Sequence, residues 1–360
     1  MSDTDHMFHA LGLAERALGR VAPNPAVGCV IVSPEGRVAG RGWTQPGGRP
    51  HAETVALARA GAMSRGGTAY VTLEPCAHLA QTPPCAEALI RAGVVRLVAA
   101  VQDPDPRVRS KGFAMLRAAG VDVSVGVLQH EAAQTNAGFF RRLEDDRPLV
   151  TLKLAQSRDG KTIPPAGAHR WITGEDSRRF AHLLRAKHDA ILIGIGTAIA
   201  DDPELSCRLP GLEDRSPVRI VLDTHLRLPQ DARLVQTAHT IPTLVFTTSE
   251  RGSGLRELGV EVLRVLADER GRPALRAVLG VLAGRGCTRL LVEGGAAVWS
   301  AFLRENLVDR LEVFTAPMNL GAGAGGNAPA LVGIGRSPHF ARIGQRAIGT
   351  DMLETYAVTA

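Results

Sequence analysis

A histidine, a glutamate and two cysteines near the start of the chain are spaced in a way that suits metal-dependent hydrolysis. His51 is followed two residues later by Glu53, and Cys76 and Cys85 come after the next predicted strand. One imidazole and two thiolates make a three-ligand zinc set, which leaves the fourth tetrahedral position open for water. Zinc lowers the pKa of water bound there from roughly 15.7 to about 7, which gives a hydroxide nucleophile at neutral pH. Glu53 is expected to carry protons rather than to bind the metal.

The order His-x-Glu, then Pro-Cys, then a second Cys is the pattern of the zinc-dependent nucleobase deaminases. The common form has two residues between the cysteines, whereas residues 77–84 separate them here. The second cysteine also ends the run Thr82-Pro83-Pro84-Cys85. This longer loop resembles the deaminase half of the bifunctional deaminase/reductase family of riboflavin biosynthesis. The resemblance implies a zinc-dependent, cytidine-deaminase-like αβα domain.

The resemblance to this family extends beyond the zinc motif. It covers residues 22–28, 47–53 and 103–112. It implies that the first half hydrolyses the 2-amino group of 2,5-diamino-6-(5-phosphoribosylamino)pyrimidin-4-one. It further implies that Asn24, His78 and Lys111 contact this substrate, with His78 outside the metal set. A small phosphorylated pyrimidine is therefore the expected partner of this half.

Three residues in this half depart from the family's usual ones. Thr44 stands where a histidine is common, Gln81 where a lysine or arginine is common, and Asp105 where an asparagine is common. The loss of a cation at 81 and the gain of an anion at 105 are both expected to weaken binding of a phosphorylated substrate. The zinc chemistry is expected to be unaffected.

Strand and helix patterns alternate through the first half of the chain. A helix is predicted over residues 7–20, a hairpin over 26–43, and a helix that opens at His51 and holds His51 and Glu53 together in its first turn. Further strands and helices follow to residue 127, which predicts a mostly parallel sheet with helices on both faces. The polar segment 144–148 marks a boundary, so the predicted domains are residues 1–147 and 148–360.

The second half carries a set of motifs that resembles the reductase domain of the same family. They are Lys153-Leu-Ala-x-Ser-x-Asp-Gly-Lys161, Trp171-Ile-Thr, Asp189-Ala-Ile-Leu, Thr197-x-x-Ala-Asp-Asp-Pro203 and Glu293-Gly-Gly. No Gly-x-Gly-x-x-Gly follows a first strand, so the standard dinucleotide-binding motif is absent. The resemblance implies a dihydrofolate-reductase-like α/β domain that uses NADPH to reduce the ribosyl group to ribityl.

The resemblance also implies which residues of the second half bind ligands. The expected NADPH contacts are Ala155, Trp171, Thr197, Asp201 and Thr224. The turn expected to hold the NADPH phosphates through backbone N–H groups comprises Gly295, Ala296, Ala297, Val298, Trp299, Ser300 and Ala301. The expected substrate contacts are His169, Arg185, Leu205, Arg208 and Glu293, with His169 in place of the family's serine. Lys153 or Glu293 is expected to assist proton delivery; the spacing does not decide which.

Composition excludes several other classes of protein. The net charge of +6 is spread along the chain without a basic run, so a nucleic-acid partner is not expected. The apolar stretch 190–200 is too short to span a bilayer, so no membrane partner is expected. Five cysteines and no secretory leader favour a reducing, cytoplasmic location. We also expect a homo-oligomer.

The residues suggest two alternative functions to compare with the bifunctional enzyme. A nucleic-acid deaminase with a fused binding domain would have two residues between the cysteines and a basic face that bears aromatic residues, and neither feature is present. A reductase that carries a zinc-only scaffold domain is suggested by Thr44, Gln81 and Asp105, although the intact Glu53 argues against it. Ammonia release from the diaminopyrimidine separates the scaffold from the enzyme.

Overall fold

The computed structural model describes residues 1–77, 83–165, 167, 171–250, 254–321, 323–327 and 339–359. The chain forms two compact units, Met1–Asp145 and Asp146–Ala360. Each unit has its own sheet and its own apolar core. Across the described residues, no helix combines the length and the apolar content that crossing a bilayer requires.

Unit 1 is a sheet flanked by helices. Its helices are α1 (Asp3–Ala14), α2 (Ala52–Ala60), α3 (Cys85–Arg91), α4 (Lys111–Ala118) and α5 (Gln129–Asp145). Its strands are β1 (Gly28–Val32), β2 (Val38–Trp43), β3 (Thr68–Val71), β4 (Arg96–Ala99) and β5 (Asp122–Val125). The helix predicted over residues 7–20 begins earlier, because Ser2 and Asp5 form a capping box at its start.

The sheet of unit 1 is mixed, whereas the alternation of strands and helices predicted a mostly parallel one. The strand order is β2-β1-β3-β4-β5. The β1–β2 and β1–β3 pairs are antiparallel, and the β3–β4 and β4–β5 pairs are parallel. The reason is that α2 carries the chain from β2 across β1 to β3. Strand β3 therefore runs in the direction of β2 and opposite to β1.

Helix α2 lies directly against the backbone of β2. A Cβ atom added at Gly42 would lie 2.0 Å from the carbonyl oxygen of Ala52, and one added at Gly40 would lie 2.1 Å from that of Ala56. Only glycine permits this approach. Because α2 begins directly after His51, the contact between β2 and α2 fixes the position of the histidine and of Glu53.

Unit 2 is built on a larger, mainly parallel sheet. Its helices are α6 (Glu175–Ala186), α7 (Ile195–Asp201), α8 (Arg233–Gln236), α9 (Leu275–Gly284) and α10 (Ala296–Arg304). Its strands are β6 (Leu149–Gln156), β7 (Lys161–Ile163), β8 (Ala190–Gly194), β9 (Val218–Leu222), β10 (Thr243–Thr247), β11 (Glu261–Arg264), β12 (Arg289–Val292), β13 (Arg310–Thr315), β14 (Gly325–Asn327), β15 (Phe340–Ile348) and β16 (Asp351–Val358).

Nine strands of the described chain form this sheet in the order β11-β10-β9-β8-β12-β6-β13-β16-β15. The strands from β11 to β13 are parallel, and β16 and β15 add an antiparallel edge. β15 and β16 have no counterpart among the predicted strands. The carboxyl ends of β8, β12 and β6 meet at one edge, where α/β proteins bind ligands.

Candidate functional sites

The three expected zinc ligands of unit 1 come together. His51 is the residue before α2 and has extended backbone angles, Cys85 opens α3, and Cys76 lies in the segment between β3 and α3. The Nδ1 atom of His51 lies 3.2 Å from the Sγ atom of Cys85 and 3.7 Å from that of Cys76. All three ligand atoms lie within 4.8 Å of one another.

These donors fit a zinc ion. Tetrahedral zinc at its usual bond lengths to nitrogen and sulfur requires donor-to-donor separations of about 3.5 to 3.8 Å. The separations from the histidine nitrogen lie near that range. Among the described residues, His51, Cys76 and Cys85 are the group found with this geometry. A set of three protein donors is typical of a catalytic zinc site, because structural sites usually have four.

The electrostatics of the trio favour metal binding. The hydrogen bond from Cys85, opposed by burial and reinforced by His51, lowers the pKa of the Cys76 thiol to about 4. Thiolate is the form that binds metal. Glu53 is buried at 3% exposure beside this group, and its burial raises the pKa of its carboxyl. The site therefore combines a metal-binding thiolate with a carboxyl group that is shielded from bulk water.

A cavity of about 350 Å³ opens onto two members of this trio. His51, Glu53 and Cys76 line it, and so does the expected substrate contact Asn24. Gly48 makes room for this asparagine, because a Cβ atom there would lie 2.0 Å from the Nδ2 atom of Asn24.

The other predicted positions of unit 1 are placed differently. Thr44 lines the cavity, but its hydroxyl group accepts from the Val27 N–H at 3.0 Å. Asp105 also lines it, buried at 4% exposure. Lys111 is exposed at the start of α4 and is not among the lining residues. His78 and Gln81 lie outside the described residues.

Several charged residues of this cavity were not predicted from the sequence. They are Arg49, Asp103, Arg107 and Arg142. Burial, opposed by the hydrogen bond from the Asp105 N–H, raises the pKa of Asp103 to about 6. The repeated Asp-Pro of residues 103–106 is a recognisable signal for Asp103 and Arg107. Arg142 lies on α5, where periodicity alone does not single it out.

Lys153 and Glu293 are neighbours in unit 2 because of strand register. Strands β6 and β12 are parallel, and Leu152 pairs with Val292, so the next residues of the two strands lie side by side. The Glu293 carboxylate also receives two hydrogen bonds of 2.8 Å from the Nε and Nη2 atoms of Arg185 on α6. Arg185 and Glu293 side chains are only 14% and 10% exposed. They form a nearly buried, bidentate ion pair.

Burial and neighbouring charges shift the pKa values of Glu293, Lys153 and His182. Burial opposes ionisation of Glu293, but the Arg185 guanidinium, helped by Lys153, outweighs it and holds the pKa of Glu293 at about 2. Burial lowers the pKa of the Lys153 ammonium, against the opposing charge of Glu293. Burial, with Arg185 and Arg208, lowers the pKa of His182 to about 4. At neutral pH the group therefore holds a carboxylate and a neutral imidazole.

Two adjoining cavities, of about 540 and 350 Å³, surround this ion pair. The expected ligand contacts that line both are Trp171, Arg185, Asp201, Arg208 and Glu293. Those that line one of them are Lys153, Ala155, Thr197, Leu205 and Trp299. His182, Arg178 and Arg233, which the sequence analysis did not single out, line them too. Residues 178, 182 and 185 share one face of α6, so helical spacing from Arg185 could have found the first two.

The N-terminus of α10 closes one side of this region. Gly295 precedes the helix with φ +50, and a Cβ atom there would lie 3.0 Å from the Oγ1 atom of Thr197. Ala296, Ala297 and Ser300 are exposed, whereas Val298 is half-buried and Ala301 is buried in the core. Thr224 does not line either cavity, and its carbonyl oxygen accepts a 3.0 Å hydrogen bond from Thr247. His169 lies outside the described residues.

A three-donor zinc set beside a buried glutamate is the site of a zinc-dependent hydrolase of the deaminase class, and the second α/β unit has a charged cavity of its own at the edge of its sheet. Two family profiles agree with this class. Residues 1–101 match the cytidine and deoxycytidylate deaminase zinc-binding region. Residues 148–353 match the RibD C-terminal domain.

The relatives match over nearly the whole chain. The riboflavin biosynthesis protein RibD of Aquifex aeolicus is 42% identical over 89% of this chain and 88% of its own length. The structure of Acinetobacter baumannii RibD has a TM-score of 0.86 at 36% identity and covers 99% of both chains. The Thermotoga maritima diaminohydroxyphosphoribosylaminopyrimidine deaminase/5-amino-6-(5-phosphoribosylamino)uracil reductase has a TM-score of 0.86 at 32% identity, also over 99% of both chains.

The chain belongs to the RibD family, the bifunctional deaminase/reductases of riboflavin biosynthesis. The predicted family, the two α/β fold classes and the double activity are thereby confirmed. The expected use of zinc by the first half and of NADPH by the second is confirmed as well. The roles of individual residues and the limits of the two domains stay predictions.

Proposed function

We propose that unit 1 hydrolyses the 2-amino group of 2,5-diamino-6-(5-phosphoribosylamino)pyrimidin-4-one to a carbonyl group and releases ammonia. The proposal rests on the convergence of His51, Cys76 and Cys85 beside a cavity that His51, Cys76 and the buried Glu53 line. The name of the Thermotoga maritima relative supports the choice of substrate. Zinc, when bound by the three donors, supplies the Lewis acid that activates water for attack on C2.

Glu53 transfers the protons of this reaction. Its buried carboxyl group lines the cavity beside the zinc donors, so it takes a proton from the attacking water and passes it to the departing amine. Asn24 hydrogen-bonds the pyrimidine ring from a half-buried position beside Gly48. Thr44 holds the segment before β1 rather than the substrate, because its hydroxyl group already bonds Val27 and Pro25. His78 and Lys111 remain the other proposed substrate contacts.

Unit 2 then reduces the ribosyl group of the deaminated product to ribityl. NADPH, when bound, supplies the hydride that C1′ receives. The proposed NADPH contacts include Ala155, Trp171, Thr197 and Asp201, which line the cavities, and the N-terminus of α10. Arg208 is exposed at the cavity, where it forms a surface ion pair with Glu204, and it suits the substrate phosphate. Arg185 is instead held by Glu293 in a nearly buried pair.

Lys153 is the proton donor of the reduction. As the ribosyl ring opens at C1′, its ring oxygen needs a proton, and the Lys153 ammonium group beside Glu293 is placed to donate it. Glu293 cannot serve, because a carboxyl with a pKa of about 2 is already ionised. Burial lowers the pKa of Lys153, and the charge of Glu293 opposes that lowering and so favours the ammonium form.

Two variants test the two activities separately. Glu53→Ala should keep one zinc per chain and lose ammonia release, while NADPH oxidation with the deaminated intermediate continues. Lys153→Met should show the reverse pattern. Loss of both activities in either folded variant would contradict the two-site mechanism. Ammonia release by Glu53→Ala at the wild-type rate would show that Glu53 does not transfer the protons of the reaction.

The assembly and the location of the enzyme also stay proposals. We propose that it forms a homo-oligomer, which mass photometry would test. We further propose a cytoplasmic location, because the five cysteines are free thiols, as a reducing compartment allows.

A further inference from the structure

Arginines line the cavity of unit 1 together with the zinc donors His51 and Cys76, and one of these arginines is held in place by a buried carboxylate. Asp105 accepts hydrogen bonds from the Arg107 backbone N–H at 2.9 Å, from Nε at 2.9 Å and from Nη2 at 2.5 Å. The Asp105 side chain is 6% exposed and the Arg107 side chain is 77% exposed. Both residues line the cavity, and the guanidinium is by far the more exposed group of the pair.

The segment that carries this pair is anchored to the zinc-binding segment. Glu74, two residues before Cys76, is buried at 3% exposure. Its carboxylate accepts from the backbone N–H groups of Ser110 at 3.1 Å and Gly112 at 3.0 Å. Arg107 is thus part of a segment whose position relative to the metal donors is fixed before substrate arrives.

Building on the function proposed for unit 1, we propose that Arg107, oriented by Asp105, binds the 5′-phosphate of the deaminase substrate and selects phosphorylated over unphosphorylated pyrimidines. The pair with Asp105 uses Nε and Nη2, so the Nη1 edge of the guanidinium faces away from the carboxylate. Arginine matches the geometry of a phosphate group, and a guanidinium that is already oriented loses less entropy on binding.

If Arg107 binds the phosphate, Asp105 supports substrate binding instead of weakening it. From the sequence, an anion at 105 was expected to weaken binding of a phosphorylated substrate. In the structure the carboxylate is buried under Arg107 and its charge is matched by that guanidinium. Asp105 therefore acts as a positioning residue for a cation. Arg49 and Arg142 also line the cavity and add positive potential around the same ligand.

The test compares two substrates in the zinc-loaded, full-length enzyme. Ammonia release is measured with the phosphorylated diaminopyrimidine and with its unphosphorylated riboside. Arg107→Ala should raise KM for the phosphorylated substrate roughly 10- to 100-fold, with kcat within about twofold, and leave kcat/KM for the riboside unchanged. Arg109→Ala is the matched control, because Arg109 is exposed on the same segment and does not line the cavity.

A second variant controls for local misfolding caused by the loss of Arg107. Arg107→Ala leaves the buried Asp105 carboxylate without its cation, so the double variant Arg107→Ala/Asp105→Asn removes that charge as well. It should show the same selective rise in KM. Equal losses on both substrates, or a KM for the phosphorylated substrate that stays at the wild-type value, would overturn the proposal.

The result also separates this inference from the function on which it rests. Wild-type enzyme that releases no ammonia from either substrate would overturn the proposed deamination. Arg107 is then tested by calorimetry with ribose 5-phosphate, which Arg107→Ala should bind more weakly than wild type and Arg109→Ala should bind equally well. Equal binding by all three proteins would overturn the assignment of Arg107.

Discussion

The buried Arg185–Glu293 pair gives a stability prediction whose size follows from the structure. Glu293→Gln keeps the shape of the side chain and removes its charge, which leaves the largely buried Arg185 without its counter-ion. The fall of the Glu293 pKa from 4.5 to about 2 corresponds to roughly 3 kcal/mol of favourable interaction with the ionised carboxylate. Breaking a buried ion pair by removing one partner costs about 3 to 5 kcal/mol. We therefore expect unit 2 to lose about 3 kcal/mol of unfolding free energy.

Urea unfolding followed by tryptophan fluorescence measures this loss, since Trp171 and Trp299 report on unit 2. Glu261→Gln is the matched control, because Glu261 pairs with Arg285 at the surface with both side chains more than 40% exposed. Exposed pairs contribute at most about 1 kcal/mol. An equal effect of the two substitutions, or a loss below about 1 kcal/mol for Glu293→Gln, would refute the claim that burial makes the Arg185–Glu293 pair important for stability.

The same pair gives a pH dependence. The folded-state pKa of Glu293 lies below its usual value, so the stabilisation is complete above about pH 4.5 and is lost as the pH falls towards 2. Wild-type unit 2 should lose stability across that range. Glu293→Gln should lack this part of the acid dependence, whereas an unchanged acid profile in the variant would contradict the low pKa.

Three further predictions concern the two activities. Chelation of zinc should stop ammonia release and spare NADPH oxidation; loss of both would contradict separate sites. Gly42→Ala should lower zinc content and the stability of unit 1 by about 3 kcal/mol, because its Cβ atom would lie 2.0 Å from the Ala52 carbonyl oxygen, whereas Gly12→Ala on α1 meets no atom within 4 Å and should be tolerated. The reductase kcat/KM should fall as the pH rises through the pKa of Lys153, which burial lowers, and a pH-independent rate from pH 6 to 10 would remove Lys153 as the proton donor.

The zinc trio is the part of the site with the clearest signal in the sequence. His51, Glu53, Cys76 and Cys85 are chemically distinctive, and their order along the chain identifies a class of site. The structure also explains how His51 and Glu53 can serve one site two residues apart. His51 has extended backbone before α2, so the helical rule that separates positions i and i+2 does not apply to it.

Other features of the fold had weaker signals in the sequence. The antiparallel β1–β3 pair depends on which side of β1 the chain enters after α2, and local periodicity carries no information about that choice. Strand β15 was missed because most of its residues are exposed and its apolar and polar residues do not alternate regularly. The sequence did contain a signal for the turn between β15 and β16, namely the glycine at 349. In the structure Gly349 has φ +58.

The charged contacts could be found only from the folded chain. Arg107 and Asp105 are two residues apart, but their position at the zinc cavity depends on the anchoring of their segment by Glu74, 36 positions before Ser110. The adjacency of Lys153 and Glu293 comes from strand register between β6 and β12. Contacts between residues so far apart in the chain have no local sequence pattern from which they could be predicted.

The central claim is that His51, Cys76 and Cys85 bind one catalytic zinc ion. X-ray absorption at the zinc edge on the purified full-length enzyme, with metal content measured on the same sample, tests it most directly. We predict one zinc per chain with two sulfur neighbours at about 2.3 Å and two lighter neighbours at about 2.0 Å. A sample that deaminates without stoichiometric zinc, or a zinc shell without sulfur, would contradict the account.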